Sequence, residues 1–154
     1  MEIKNIDKKK LLSNIEAIID FEIPIMSNLA NLSRLFMESF KNTLWSGFYL
    51  SDEESRFLYL GPYQGPLACT VIPFGKGVCG SSALNKVTNL VPNVHKFPGH
   101  IACSSLSNSE IVVPIIKNDK VVGVIDLDST LFNNYDEEDQ KLLESAANII
   151  SKLF

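Results

Sequence analysis

Two apolar, largely β-branched runs, Ile111–Ile116 and Val121–Leu127, stand on either side of the polar tetrapeptide Lys117, Asn118, Asp119, Lys120. Runs of this length around a short polar turn predict an antiparallel hairpin, the feature that most restricts how the chain can fold. Three carboxylates attend it: Glu110 precedes the first run, Asp126 interrupts the second and Asp128 follows it. Strand alternation puts Asp126 and Asp128 on one face. A plain two-residue loop at Asn118 and Asp119 would set Glu110 opposite Leu127, on the other face. An odd loop or a bulge sets it opposite Asp126 or Asp128 and gathers all three acids, and this is the expected arrangement. Carboxylates at a strand end are ordinarily just solvated. Like charges crowded on one face are unfavourable without a cation, however, and an ammonium group bound among them would relieve the repulsion.

The rest of the chain supplies layers for that hairpin. Leu11, Leu12, Ile15, Ile18 and Ile19 fall at helical spacing within Lys8 to Asp20, and Ile25, Leu29, Leu32, Leu35 and Phe36 repeat the pattern from Pro24 to Phe40. Pro24 suits the first turn of that second helix. These stripes can be buried on the sheet or across a symmetric homodimer. Strands are expected at Trp45 to Leu50, Phe57 to Leu60, Leu67 to Phe74 and Val87 to Val91, with a charged turn at Asp52, Glu53 and Glu54. Gly75 to Gly80 leads into a short helix over Ser81 to Asn85, with a spacing that matches no phosphate-binding loop. Asp136 and Asp139 have the spacing of a capping box at the start of a C-terminal helix, with Leu142, Leu143, Ala146, Ile149 and Ile150 facing inward. The order predicts an α+β fold with one largely antiparallel sheet and helices packed on it. A single domain is expected over 1–154: N-terminal helices in 1–40, sheet and active-site loops in 44–130, C-terminal helix in 136–154.

Composition narrows function by exclusion. A net charge of −4 offers no basic footprint for nucleic acid, and no apolar run reaches the length of a membrane span. The N-terminus lacks the apolar core of a signal peptide, so the expected compartment is the cytoplasm. There an odd count of three cysteines, Cys69, Cys79 and Cys103, argues against a structural disulfide framework. No CxxC pair and no usual histidine spacing recommend zinc, so no metal and no cofactor are expected. Free cysteines are commonly buried as small hydrophobes, and Cys69 in an apolar stretch fits that alternative. Cys103 lies among Ser104, Ser105, Ser107 and Asn108, where an accessible, reactive thiol is expected. Trp45 and Tyr49 share a strand face and either wall an apolar pocket or serve core packing. His95 and His100 in the same loop as Cys103 are read as exposed, not catalytic.

Four stretches carry a resemblance: WSGFYL from Trp45, LGPYQGPLACTVIPFGKGVCG from Leu60, VPNVHKFPGHIACSSLSNSEIVVPI from Val91, and GVIDLDS from Gly123. Together they closely resemble the free methionine-(R)-sulfoxide reductases, small stand-alone GAF domains, with all three family cysteines and all three pocket acids in place. The resemblance implies a GAF-like central antiparallel sheet with helices on both sides. It also implies a pocket in which Trp45 and Tyr49 line the thioether end of free L-methionine-(R)-sulfoxide while Glu110, Asp126 and Asp128 hold its ammonium and polarise the sulfoxide oxygen. In a peptide the α-nitrogen is an uncharged amide, so such a pocket would favour the free amino acid.

The chemistry expected from this resemblance is nucleophilic. Cys103 attacks the sulfoxide sulfur and becomes a sulfenic acid, Cys69 resolves it to a disulfide, and thioredoxin or a similar dithiol restores the thiols, with Cys79 a second recycling residue. A homodimer is also implied by the family. The competing class is a GAF small-molecule-binding regulatory module without catalysis. It would ordinarily regulate a fused partner, which is not expected here, and phosphate ligands would meet the wrong charge at the three acids.

Overall fold

A computed structural model describes residues 7–52, 54–101 and 103–154. The leader reading over residues 1–6 and Glu53 of the charged turn lie outside the described residues. In chain order the elements are α1 (Leu11–Ile18), α2 (Ile25–Ser39), β1 (Thr43–Asp52), β2 (Phe57–Gln64), β3 (Val71–Pro73), α3 (Gly77–Asn85), β4 (Asn89–Val91), β5 (Ser109–Lys117), β6 (Lys120–Ser129) and α4 (Glu137–Ile150). The strands form one six-stranded antiparallel sheet in the order β3-β2-β1-β6-β5-β4. Helices cover both sides, as the resemblance implies, with α1, α2 and α4 on one face and α3 on the other.

Most of the stripe residues of the first two helices are buried within one chain, while Ile18 is exposed and Leu12, Ile19 and Ile25 are partly buried. Leu11, Ile15, Leu29, Leu32 and Phe36 are fully buried and pack with Phe48, Ile111, Ile125 and Leu127 of the sheet and with Leu143 and Ile150 of α4. Pro24 stands one residue outside α2, at its N-cap. The capping box of α4 is formed, with Asp136 accepting from the Asp139 N–H at 2.8 Å and Asp139 accepting from the Asp136 N–H at 3.1 Å.

The hairpin gathers its acids through a bulge. Asn118 and Asp119 both have positive φ, 50° and 65°, as a two-residue hairpin turn twisted to match its strands requires. Ile116 pairs with Val121 but Ile115 pairs with Gly123, leaving Val122 as the extra residue. Beyond it the register sets Glu110 opposite Asp128 and Val112 opposite Asp126.

Three strand boundaries differ from expectation. The third strand contracts to Val71–Pro73 because the segment before it is a loop, in which Leu67 is 88% exposed. Conversely, β2 continues through Gly61 and Pro62 to Gln64. A register shift between Gly47 and Tyr49 places that Gly-Pro pair opposite the single residue Phe48, and a bulge tolerates a residue without an N–H. The fourth strand begins at Asn89.

The helix after the glycine-rich stretch starts inside it, at Gly77. Gly77 has a φ of 63°, and a Cβ on Gly80 would stand 2.3 Å from the Pro73 carbonyl oxygen. The glycines therefore serve a tight entry and a close helix-to-strand approach.

Candidate active site

The face of the sheet under α3 is where the acids converge. Across neighbouring strands, Val91, Glu110, Asp128 and Trp45 form one row, and Val112, Asp126 and Gly47 form the next. Glu110 and Asp126 are each 5% exposed and Asp128 is half-buried. Above them α3 lowers Cys79 from its first turn, and the thiol donates to Asp126 Oδ2 at 3.2 Å while lying 4.0 Å from Glu110 Oε1.

Burial without a countercharge pushes all of these groups toward their neutral forms. Glu110 and Asp128 are driven well above the usual carboxylate range, first by desolvation and then by the neighbouring acids. Asp126 is pushed up only to about 6, because hydrogen bonds from Glu110 and from Cys79 oppose the desolvation. The Cys79 thiol is raised as well, by burial and by Asp126 and Glu110. The arrangement thus favours protonated acids at Glu110 and Asp128 more strongly than at Asp126, which Glu110 and the Cys79 thiol serve with hydrogen bonds.

The acids form the floor of a cavity that opens to solvent. Trp45 and Tyr49 wall it, their rings stacked with centroids 5.8 Å apart, and Tyr63 stacks on the far side of Trp45 at 5.1 Å. The Tyr49 hydroxyl donates to the Cys69 carbonyl at 3.0 Å, which ties the loop before β3 to the aromatic wall. Cys69 and Cys103 are joined in a disulfide with Cα atoms 5.5 Å apart, and Cys103 lines the cavity. Cys79 is the free, buried thiol. Two buried polar atoms on the lining residues, Trp45 Nε1 and Asp126 Oδ1, have no hydrogen-bond partner among the described residues. Buried groups left unpaired are normally satisfied by something, and here both belong to residues around the cavity.

All eight residues singled out from the sequence are therefore in or beside one site. Sequence reasoning missed others. His100 lines the cavity with Nε2 3.9 Å from Glu110 Oε2 and is not the exposed loop residue expected. Burial lowers His100 and raises Glu110, so both shifts work against an ion pair between them. His95 stays outside the cavity lining and bonds Asn108 at 2.8 Å. Ser107, buried at the end of the Ser-rich loop, is hydrogen-bonded to Asp128. The polarity of that loop was the only signal for it.

Residues 29–154 match the GAF domain family. A Saccharomyces cerevisiae protein named free methionine-R-sulfoxide reductase is 43% identical, the match covering 96% of this chain and 88% of the relative. An Escherichia coli protein of the same name is 39% identical, with 89% and 82% covered. Among solved structures, a free methionine-R-sulfoxide reductase from Neisseria meningitidis in complex with its substrate is similar with a TM-score of 0.90 at 44% identity, covering 96% of this chain and 87% of that one. With matches of this extent and a site that brings together the three cysteines and three acids, the chain belongs to the GAF-domain family and, within it, to the free methionine-R-sulfoxide reductases.

Proposed function

We propose that this protein reduces free L-methionine-(R)-sulfoxide to methionine, with Cys103 as nucleophile. The observation that carries the reading is the Cys69–Cys103 pair beside a cavity whose floor is acidic and whose wall is aromatic. Names and bound substrate among the relatives support the same substrate for this chain.

In this mechanism the substrate ammonium lies against the Asp126 carboxylate, whose unpartnered Oδ1 it satisfies. The methyl and thioether end rests against Trp45 and Tyr49. Cys103 as thiolate attacks the sulfoxide sulfur, and the substrate S–O bond breaks as the oxygen passes to the cysteine sulfur. A protonated pocket acid supplies the proton. Glu110 suits that part, since burial drives it toward its protonated form and it is hydrogen-bonded to Asp126. The push of Glu110 and Asp128 toward their protonated forms also lessens the negative field that would otherwise hold Cys103 in its thiol form. Methionine leaves and Cys103 is left as a sulfenic acid. The Cys69 thiol condenses with it, releasing water and forming the disulfide, and an external dithiol of the thioredoxin class reduces that bond. Cys79 remains a thiol throughout and is available as a second recycling residue. The working compartment is a reducing cytoplasm, where such a dithiol is at hand.

The test is methionine release from the free (R) epimer with a dithiol present, against the (S) epimer and the N-acetylated (R) compound. Turnover confined to the free (R) epimer is expected. Comparable turnover of the N-acetylated compound would remove the ammonium from the argument. No turnover of any of the three by the fully reduced protein would leave a ligand-sensing module in its place.

A further inference from the structure

Three donor atoms from three separate elements meet on the cavity floor. Cys79 comes from the first turn of α3, Glu110 from the start of β5 and Asp126 from β6, and one donor atom of each lies within 4.8 Å of the other two. Cys79 Sγ is 3.2 Å from Asp126 Oδ2 and 4.0 Å from Glu110 Oε1. A tetrahedral ion that holds sulfur at about 2.3 Å and carboxylate oxygen at about 2.0 Å sets those donors about 3.5 Å apart, between the two observed separations. Asp126 is 5% exposed, yet its Oδ1 has no hydrogen-bond partner among the described residues. This atom, which would take the substrate ammonium, is also open to a cation, so the two would compete for it. Thiolate in the donor set selects against magnesium and calcium, which take oxygen alone, and favours the softer zinc class. Sequence spacing argued against zinc because the donors stand 31 and 47 residues from Cys79 and form no motif.

We propose that Cys79, Glu110 and Asp126 form a binding site for a soft divalent cation of the zinc class, which shuts out the substrate while it is bound. The site stands on the geometry alone; only the exclusion of substrate rests on the reductase reading. Three protein donors leave a fourth position toward the cavity for water. As the metal–sulfur bond forms, the Cys79 S–H bond breaks and its proton, with any proton that Glu110 carries, passes to solvent. No electron moves. Binding therefore tightens as pH rises. The other titratable groups around the donors are Asp128 on β6, Tyr49 on β1 and His100 in the loop that carries Cys103.

Cadmium titration of the oxidised protein tests the site. With Cys69 and Cys103 in their disulfide, Cys79 is the sole thiol of the three cysteines. The expected result is an ultraviolet thiolate-to-cadmium band that saturates at one equivalent, disappears on adding a chelator and is absent from Cys79→Ser. In Asp126→Asn and Glu110→Gln the half-saturating cadmium concentration rises at least about tenfold. No band in excess cadmium, or a band that survives Cys79→Ser, overturns the proposal. Where Cys79→Ser does not fold, unchanged cadmium affinity in both carboxylate variants overturns it equally. The titration involves no turnover, so its failure leaves the reductase reading untouched, and an inactive protein that binds cadmium in this way leaves the site standing.

Discussion

On one face of the sheet, Phe48, Ile111, Val113, Ile125 and Leu127 close a dry apolar layer against α1, α2 and α4. On the other face, alternate residues of the same strands, Glu110, Asp126 and Asp128, point at a cavity under α3. The contrast is sharpest on β6, where Ile125 and Leu127 interleave with the two aspartates. The apolar face holds the strands at fixed spacing, and that rigidity keeps three carboxylates together despite their mutual repulsion. One face therefore stabilises what the other destabilises, and substitutions on the two faces should separate activity from stability.

The largest effect is expected from Cys103→Ser. Loss of the nucleophile should lower turnover of the free (R) epimer by at least about 10³-fold, with thermal unfolding of the fully reduced protein nearly unchanged. Methionine release measured beside the melting curve checks both halves. Substantial residual turnover would end the nucleophile assignment.

Leu127→Ala should do the reverse, although Leu127 sits between the two aspartates. Its side chain is fully buried in the apolar layer, so truncation should cost about 2–5 kcal/mol in denaturant unfolding. The catalytic rate of the fraction that stays folded should remain close to that of the parent. A rate lost in proportion to stability would show that the faces are not separable.

Asp126→Asn tests the strain on the site face. Burial raises Asp126 from its usual 3.8 to about 6, so the folded state holds this proton more tightly than the unfolded chain does. The stability it contributes is full below about pH 4 and is lost as pH rises through 6, a difference on the order of 3 kcal/mol. Unfolding measured from pH 4 to pH 8 at fixed redox state should show the parent losing stability relative to Asp126→Asn as pH rises. Parallel curves for the two proteins would count against a buried, strained carboxylate. The same variant should bind substrate more weakly, since it loses the ammonium partner.

The apolar face was the more legible of the two in the sequence. Helical periodicity alone placed Leu11, Ile15, Leu29, Leu32 and Phe36, because a stripe needs only local spacing to be recognised. The acid cluster was half legible: alternation put Asp126 and Asp128 together, while Glu110 depended on a bulge at Val122 that no residue type announces. Contacts between distant elements were out of reach. Nothing near Cys79 signals that a helix start will set it 3.2 Å from Asp126, and nothing near His100 signals Glu110. The third strand failed for the opposite reason, since the apolar run from Leu67 has strand composition but serves the rim of the cavity.

The smallest effect joins the two themes. Cys69 sits in that loop, outside any strand, and two hydrogen bonds hold this stretch: the Tyr49 hydroxyl to the Cys69 carbonyl and the Leu60 N–H to the carbonyl of the next residue, Thr70, each at 3.0 Å. Tyr49→Phe keeps the ring that walls the cavity and removes only the first. One such bond contributes about 1 kcal/mol, which corresponds to about fivefold in a rate or equilibrium. Capture of the Cys103 sulfenic acid by Cys69 should slow by up to about that factor, while the first equivalent of methionine, released before capture, appears at the parental rate. Rapid-quench measurement of methionine and of disulfide in one turnover separates the steps. Slowing of both together would mean that the hydroxyl acts on the substrate, and unchanged rates for both would mean that the strand framework alone positions Cys69.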